Sequence, residues 1–259
     1  MTKTILITGA TDGIGLETAK MLAEDGHRLL LHGRSQAKLD AALAAVGGDS
    51  VGYLADLSRL EDVRSMVAEV SAAEIRIDVL INNAGILKAP QTKTEAGLDI
   101  RFVVNTLAPY VLAKGLLPKM PKDGRIVNLS SAAQASVDIA AMKSGAALGD
   151  MDAYAQSKLA ITMWTTTMAE SLPEGPVVVS VNPGSLLASK MVKEGFGIAG
   201  NDISIGAKIL VEASLGDSFA NASGQYFDND SGRFAPPHTD GTNPSLRAAV
   251  QVAIEELVA

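Results

Sequence analysis

The 259-residue sequence contains no cysteine, three histidines and 4% aromatic residues. Without cysteine, disulfides, thiol chemistry and cysteine–zinc sites are excluded. The histidines, His27, His32 and His238, are scattered along the chain. We therefore expect them to have surface or packing roles, and we expect no metal site.

Positive charge is also scarce, since 22 Lys and Arg face 29 Asp and Glu, for a formal net charge of −7. Nucleic-acid binding needs a basic surface, so no nucleic-acid partner is expected. No apolar run approaches the roughly 20 residues of a membrane helix. The apolar run in "MTKTILITGA" is too short for a secretory signal. These absences predict a cytoplasmic protein that does not bind a membrane.

What the chain does have is 47% hydrophobic residues, many of them in short runs rich in Val, Ile and Leu that alternate with longer helical stretches. Runs without period-two alternation are typical of strands buried on both faces. Repeated strand–helix units imply parallel strands joined by right-handed crossovers. The sequence therefore predicts one α/β domain over residues 1–259, a doubly wound parallel sheet of about seven strands with helices on both faces. The predicted strands are 4–8, 28–32, 51–55, 77–82, 125–130, 176–182 and 224–229.

A glycine-rich segment, "ITGATDGIG", follows the first predicted strand and opens the first helix. Gly9 permits a tight turn, and Gly13 lets a pyrophosphate approach the backbone at the helix N-terminus. Gly15 allows the helix to pack closely on the strand. This context predicts the dinucleotide site of a Rossmann fold, although a glycine-rich turn without a ligand is the alternative. The other candidate cofactor contacts in the segment are Thr11, Asp12 and Ile14.

The end of the second predicted strand, "LLLHGRS", bears on which dinucleotide is bound. An acidic residue there holds the ribose 2′-OH of NAD, whereas an arginine accommodates the 2′-phosphate of NADP. Gly33 stands where the acid would be, and Arg34 and Ser35 can both bind a phosphate. Against this, Asp12 occupies a loop where some NADP enzymes carry a base, and Arg34 could be a solvated charge. We favour NADP(H) over NAD(H).

Five motifs occur in order: "TGATDGIG" (8–15), "INNAG" (81–85), "RIVNLSS" (125–131), "YAQSK" (154–158) and "NPG" (182–184). With them the chain resembles the short-chain dehydrogenase/reductase family over essentially its whole length. The segment "AYAQSKLA" is most similar to the branch of retinol-dehydrogenase-type enzymes and related carbonyl reductases. The resemblance implies an NAD(P)-dependent oxidoreductase acting on a small-molecule carbonyl/alcohol pair. It also suggests a homodimer or homotetramer, although monomers occur in this branch.

The resemblance implies four catalytic residues. Tyr154 would be the general acid or base, and Lys158 would hold the nicotinamide ribose and lower the tyrosine pKa. Ser131 would bind the substrate oxygen, and Asn105 would hold a water that links Lys158 to a proton relay. The chemistry agrees, because free tyrosine has a pKa near ~10 and a nearby cation favours the phenolate. The alternatives are Ser130 in place of Ser131, and an Asn105 that only bonds locally within its helix.

The resemblance also implies further cofactor contacts. After the third strand Asp56 and Leu57 would meet the adenine, and after the sixth Pro183 and Gly184 would shape the nicotinamide pocket. Ser189 is our choice for the residue that binds the nicotinamide amide, with the backbone of Leu186 or Leu187 as the alternative. The residues that would line the cofactor channel after the fourth strand are Asn83, Ala84 and Gly85.

The substrate should be bordered by three segments, at about 86–94, 132–150 and 185–202. The middle one is long, because 22 residues separate Ser131 from Tyr154 where the family more often has about a dozen. An apolar lining favours a lipophilic or aromatic carbonyl over a charged sugar. The expected apolar lining residues are Ile86, Leu87, Met142, Leu148, Leu187, Met191 and Phe196.

Two other functions remain open. Sugar-nucleotide epimerase or dehydratase chemistry uses a similar Tyr–Lys pair, although such relatives are usually longer. A catalytically silent dinucleotide sensor or scaffold is the other alternative, although such relatives tend to lose the tyrosine or the lysine, and this chain keeps both.

Overall fold

A computed structural model describes all 259 residues, except for the side chains of Glu194 and Phe196. Eight strands form one sheet in the order β3-β2-β1-β4-β5-β6-β7-β8. Neighbours from β3 to β7 pair in parallel, and β8 pairs antiparallel with β7. The strands are β1 (Thr4–Ile7), β2 (Arg28–Gly33), β3 (Val51–Leu54), β4 (Val79–Asn82), β5 (Arg125–Leu129), β6 (Val177–Asn182), β7 (Tyr226–Asp228) and β8 (Arg233–Ala235).

Helices connect the strands and cover both faces of the sheet. The α-helices are α1 (Gly13–Glu24), α2 (Gln36–Val46), α3 (Leu60–Ala72), α4 (Ile100–Phe102), α5 (Ala108–Leu116), α6 (Ile139–Ser144), α7 (Asp150–Ser171), α8 (Lys190–Phe196), α9 (Ser204–Leu215) and α10 (Pro244–Val258). A π-helical segment, Val103–Leu107, joins α4 to α5. Short 3₁₀ segments lie at Leu117–Lys119, Asp217–Phe219 and Thr239–Thr242.

The core has two parts because successive strand residues point to opposite faces of the sheet. In β1, Leu6 packs beneath the helices α3, α5, α7 and α10. Its neighbours Ile5 and Ile7 pack beneath α1, α2 and α9. This confirms the doubly wound sheet with helices on both faces. The eighth strand, β8, is only three residues long, so it gives little apolar signal in the sequence.

One stretch overturns an expectation. The helical stretch Ile100–Lys119 is long and apolar enough, by length and composition, to cross a membrane, whereas no such run was expected. Buried residues make up 72% of its apolar window. Leu107, Leu112 and Leu116 are fully buried in the core of the fold. Packing beneath the sheet therefore accounts for the apolar composition of this stretch.

Candidate active site

A cleft of about 770 Å³ opens at the carboxyl ends of the strands. It spans the point between β1 and β4 where the strand order reverses, which is where open α/β sheets bind ligands. All the cofactor and catalytic residues expected from the sequence line this cleft, with the exceptions of Gly15 and Asn105.

The glycine loop has the geometry that its sequence predicts. Gly9 and Gly13 adopt φ angles of +65° and +57°, a region that favours glycine. A Cβ on Gly15 would lie 2.4 Å from both the Gly9 carbonyl oxygen and Asn83 Nδ2, so Gly15 does permit close packing of α1. Asn83 Nδ2 donates to the carbonyls of Thr8 and Gly9 at 2.8 and 3.1 Å. Gly9 and Gly13 both line the cleft at the start of α1, and this fits a loop that holds a dinucleotide pyrophosphate.

At the adenosine end of the cleft, Arg34 and Ser35 line the wall together with Lys38. The sequence interpretation missed Lys38. Its Nζ lies 3.0 Å from Asp12 Oδ2, and this bond holds the pKa of Asp12 below its ordinary value. Asp12 also accepts from the Gly13 N–H at 2.8 Å. Asp12, the acidic residue that argues against NADP, is thus paired with Lys38. This contact depends on how α2 packs against the loop.

The loops after β2 and β3 form the rest of the adenosine end of the cleft. A Cβ on Gly33 would lie 2.4 Å from Thr11 Cγ2, so the position that would carry an NAD-binding acid accepts a side chain only if Thr11 moves. Asp56 accepts from the N–H and the hydroxyl of Ser58 at 2.9 and 2.8 Å. Asp56 and Leu57 both line the cleft, as expected.

His32 lies against the glycine loop and also lines the cleft, with 3% of its surface exposed. Its Nδ1 accepts from the Gly9 N–H at 3.1 Å, and its Nε2 lies 3.0 Å from the Ala55 carbonyl oxygen. Burial is the largest cause of a lowered pKa for this imidazole. The expected packing role is correct, but the contact with the dinucleotide loop was not foreseen, because three scattered histidines show no pattern.

At the other end of the cleft, α7 presents Tyr154 and Lys158. The Ser131 side chain interacts with the Tyr154 hydroxyl in the direction that favours the phenolate. Lys158 Nζ donates to the Leu129 carbonyl at 2.7 Å and lies 5.6 Å from the centroid of the Tyr154 ring. Ser130, by contrast, is buried and bonds the Lys158 carbonyl at 3.0 Å. The structure therefore places Ser131, and not Ser130, at the tyrosine hydroxyl.

Burial controls the charges of this pair. It lowers the pKa of Lys158 from 10.5 to about 8. It also raises the pKa of Tyr154, and the hydrogen bond from Ser131 only partly opposes that increase. In the protein alone, desolvation of the phenolate is thus the main influence on the pKa of Tyr154, and the expected lowering of that pKa by Lys158 stays a prediction.

Asn105 lies in the π-helical segment and is fully buried. Its Oδ1 accepts from the Ile86 N–H at 2.8 Å, and its Nδ2 donates to the Ile86 carbonyl at 3.0 Å and to Ser157 Oγ at 3.0 Å. These bonds are long-range, so the alternative of purely local bonding within the helix is wrong. The amide holds the turn at Gly85, where a Cβ would lie 3.4 Å from both Asn105 Oδ1 and Lys158 Nζ. Its role in binding a relay water stays a prediction.

The loop after β6 forms the remaining wall. Gly184 follows Pro183 with a φ of +121°. Asp230, in the β7–β8 turn, accepts from Asn182 Nδ2 at 2.9 Å and from the Ser185 N–H at 2.8 Å, and thereby holds this loop. Ser189 caps α8 by accepting from the Val192 N–H at 3.3 Å. Ser189 lines the cleft, and its contact with the nicotinamide amide stays a prediction.

The substrate side of the cleft is apolar but differs from expectation. The expected residues Ile86, Leu87, Leu187 and Met191 line it, and Leu148 does not. Met142 is fully buried in the core, and the side chain of Phe196 falls outside the described part of the chain. Apolar lining residues that the sequence interpretation did not name include Ile100, Val104, Leu129, Met151 and Val192.

The long segment 132–150 contributes only Ala133 to the lining of the cleft. Within it, Asp138 caps α6 by accepting from the Ala141 N–H at 2.9 Å. Lys143 of α6 then forms an ion pair with Glu256 of α10. The prediction that this segment borders the substrate therefore holds only near its start, at Ala133. The rest lies elsewhere because α6 packs against the C-terminal helix α10.

A phosphate-binding loop, a Rossmann sheet and a buried Tyr–Lys pair with an adjacent serine define the class of the protein as a nicotinamide-dinucleotide oxidoreductase. The family model for short chain dehydrogenases matches residues 3–196. The chain therefore belongs to the short-chain dehydrogenase/reductase family, in its retinol-dehydrogenase-like branch. As in that family, the reaction is NAD(P)-dependent and interconverts alcohol and carbonyl groups.

Two curated proteins and one solved structure illustrate the similarity. Retinol dehydrogenase 13 of Homo sapiens is 31% identical over 253 residues, which cover 87% of this chain and 76% of that protein. Polyprenol dehydrogenase of Homo sapiens is 34% identical over 195 residues, which cover 69% of this chain and 59% of that protein. The crystal structure of an uncharacterised protein from Mycobacterium paratuberculosis has a TM-score of 0.83 at 27% identity, and the match covers 99% of this chain and 93% of that one.

Proposed function

We propose that the protein is an NADP(H)-dependent oxidoreductase for a lipophilic carbonyl/alcohol pair, with Tyr154 as its general acid and base. The observation that supports this most directly is the convergence of Ser131, Tyr154 and Lys158 at one end of the cleft. A silent sensor would not need a tyrosine hydroxyl that is hydrogen-bonded to a serine and adjacent to a buried lysine.

The side chains divide the chemistry between them. A bound dinucleotide supplies or accepts the hydride, and the protein orients the substrate and moves the proton. In the reducing direction the Tyr154 hydroxyl protonates the substrate oxygen, while Ser131 donates a hydrogen bond to that oxygen as negative charge develops on it. Lys158 carries its charge below about pH 8 and so stabilises the phenolate that remains after proton transfer.

The preference for NADP(H) rests on the adenosine end of the cleft. Arg34 and Lys38 both line it, and either can bind a 2′-phosphate. Gly33 cannot be replaced by an acid unless Thr11 moves, because the added Cβ would lie 2.4 Å from Thr11 Cγ2. The arrangement thus offers cations for a phosphate and leaves no room for the carboxylate that would bind a free 2′-hydroxyl.

The lipophilic substrate is inferred from the lining of the cleft. Leu87, Leu187 and Met191 form an apolar wall beside the catalytic side chains. At the rim, Met151 and Leu186 are each 43% exposed, so apolar surface continues beyond the mouth. A substrate with an apolar body would bury this surface. The names of the two curated relatives, retinol and polyprenol dehydrogenase, denote enzymes of apolar alcohols, which supports the same proposal.

Two measurements test the proposal. In a fluorescence titration of the purified protein, NADPH is expected to bind more tightly than NADH. With the preferred cofactor, a panel that contains apolar aldehydes and ketones, charged sugars and small polar ketones should show turnover mainly of the apolar members. Tighter binding of NADH would contradict the cofactor preference, and turnover of charged sugars alone would contradict the substrate class.

A further inference from the structure

His32 lies near the end of β2, where both its ring and its backbone carbonyl accept hydrogen bonds from the glycine loop. The ring Nδ1 accepts from the Gly9 N–H at 3.1 Å, and the His32 carbonyl accepts from the Ala10 N–H at 2.9 Å. One residue therefore holds two successive amides of the turn that leads to the start of α1.

The partners of the ring determine its protonation state. The Gly9 N–H can only donate, so Nδ1 must be free of a proton, and the Ala55 carbonyl can only accept, so Nε2 must carry one. The neutral tautomer protonated at Nε2 is the form that satisfies both bonds. A second proton on Nδ1 would point a donor at the Gly9 N–H and break that contact.

The shape of the loop at Gly9 depends on these bonds. Gly9 has a φ of +65°, and its carbonyl accepts from Asn83 Nδ2 at 3.1 Å. A Cβ on Gly9 would lie 3.0 Å from the Ala84 Cα. The peptide is thus fixed by His32 on its N–H and by Asn83 on its carbonyl, and this orientation sets the course of the backbone towards Gly13.

We propose that His32 is a positioning residue for the dinucleotide: its neutral ring holds the glycine loop in the binding shape, and protonation of the ring weakens cofactor binding. His32 touches the loop and is not a catalytic residue. The proposal depends on the cofactor binding that the family membership implies, and not on the identity of the substrate or on the role of Tyr154.

The charged groups around the ring determine where this effect falls on the pH scale. Asp56, after β3, favours the protonated ring, but burial opposes it more strongly, so the pKa lies below its ordinary value of 6.5. In the glycine loop and α2, Asp12 and Lys38 are paired with each other at 3.0 Å. From the β4 side the loop is held by Asn83, which does not titrate. The ring is therefore neutral at physiological pH.

Two variants separate the hydrogen bond from the titration. His32→Leu removes the acceptor and leaves the Gly9 N–H without this hydrogen bond. The loop should then hold its binding shape less well, so NADPH binding at about pH 7.5 should weaken roughly 10-fold. His32→Asn keeps an acceptor near the position of Nδ1 and does not titrate, so its affinity at about pH 7.5 should stay within about 3-fold of wild type. Dissociation constants from fluorescence titration need no turnover.

The pH profile gives the decisive comparison. From about pH 8 down to the lowest pH at which both proteins remain folded, wild type should lose more affinity for NADPH and NADH than His32→Asn does, and the ratio of the two affinities cancels the titration of the ligand. In the ligand-free wild type, ¹⁵N NMR should show a ring protonated at Nε2. Equal acid losses in wild type and His32→Asn would overturn the proposal, as would a folded His32→Leu with wild-type affinity. If His32→Leu does not fold, the asparagine comparison still decides.

Discussion

Lys158 Nζ donates to the Leu129 carbonyl at 2.7 Å and lies 5.6 Å from the centroid of the Tyr154 ring. Its hydrogen-bond partner is a neutral oxygen, and 3% of the residue is exposed. The ammonium is therefore held beside the Tyr154 ring at a cost to its own solvation, and this burial lowers its pKa to about 8. Such a buried charge destabilises the fold, and in the proposed mechanism it stabilises the phenolate of Tyr154.

Replacing the lysine should thus stabilise the protein and inactivate it. Lys158→Met removes a buried charge, and we expect the free energy of unfolding near pH 7 to rise by roughly 1–3 kcal/mol, while turnover is lost. Because the folded pKa lies below the unfolded value of 10.5, the stability advantage of the variant over wild type should shrink as the pH rises from about 8 towards 10.5. Urea unfolding at several pH values measures both effects.

The matched control for this experiment is Lys208→Met, which replaces an exposed lysine. Its stability should stay within about 0.5 kcal/mol of wild type. A Lys158→Met variant that is clearly less stable than wild type at neutral pH would show that the buried ammonium does not destabilise the fold.

Cofactor selectivity should depend on the two cations at the adenosine end. Arg34→Ala and Lys38→Ala should each weaken NADPH binding about 10-fold, because each loses a charge-assisted bond to the 2′-phosphate. NADH binding should change less than about 3-fold. Titration of both cofactors, with Lys20→Ala on α1 as a variant of equal charge change, measures the effect. An equal loss of affinity for both cofactors would show that the two side chains do not contact the 2′-phosphate.

The closeness of Thr11 to Gly33 predicts that a change of cofactor preference from NADPH towards NADH needs substitutions at both positions. Gly33→Asp alone should destabilise the protein by about 1–3 kcal/mol, because its Cβ would meet Thr11 Cγ2 at 2.4 Å. Adding Thr11→Ser removes that methyl group, so the double variant should regain stability and should bind NADH better than wild type does. Thermal unfolding and cofactor titration of the single and double variants test this. Full stability of Gly33→Asp alone would contradict the steric explanation.

A buried ion cluster should stabilise the start of the catalytic helix α7. Arg101 is 1% exposed, and its Nε donates to Asp99 Oδ1 at 2.8 Å. It also pairs with Asp150, the first residue of α7. Arg101→Met leaves Asp99 buried without its cation, and we expect a loss of about 3–5 kcal/mol. Asp99→Asn with Arg101→Met should recover a large part of that loss in urea unfolding, and equal losses in the single and double variants would argue against charge as the cause.

Much of the site could be predicted from the sequence because its residues follow predicted strands. The carboxyl ends of parallel strands meet at one edge of a sheet, so the glycine loop, Ser131 and the "NPG" turn had to lie together. Tyr154 and Lys158 share a face of one helix at their spacing. These inferences needed only local pattern and topology.

What could not be predicted depends on packing between distant segments. Lys38 reaches Asp12 only because of the way α2 lies against the glycine loop. His32 binds Gly9 through one particular ring orientation, which no periodicity encodes. The position of segment 132–150 in the sequence predicts that it borders the substrate, whereas α6 is held against α10 by Lys143 and Glu256.

The central claim is that Tyr154 transfers the proton, and Tyr154→Phe tests it most directly. The variant keeps the ring and its packing and removes the hydroxyl that Ser131 binds. With a carbonyl substrate and NADPH, single-turnover oxidation of NADPH should slow by about 10²–10⁴-fold, while the dissociation constant of NADPH stays within about 3-fold of wild type. A Tyr154→Phe protein that reduces the substrate at the wild-type rate would contradict the proposed role.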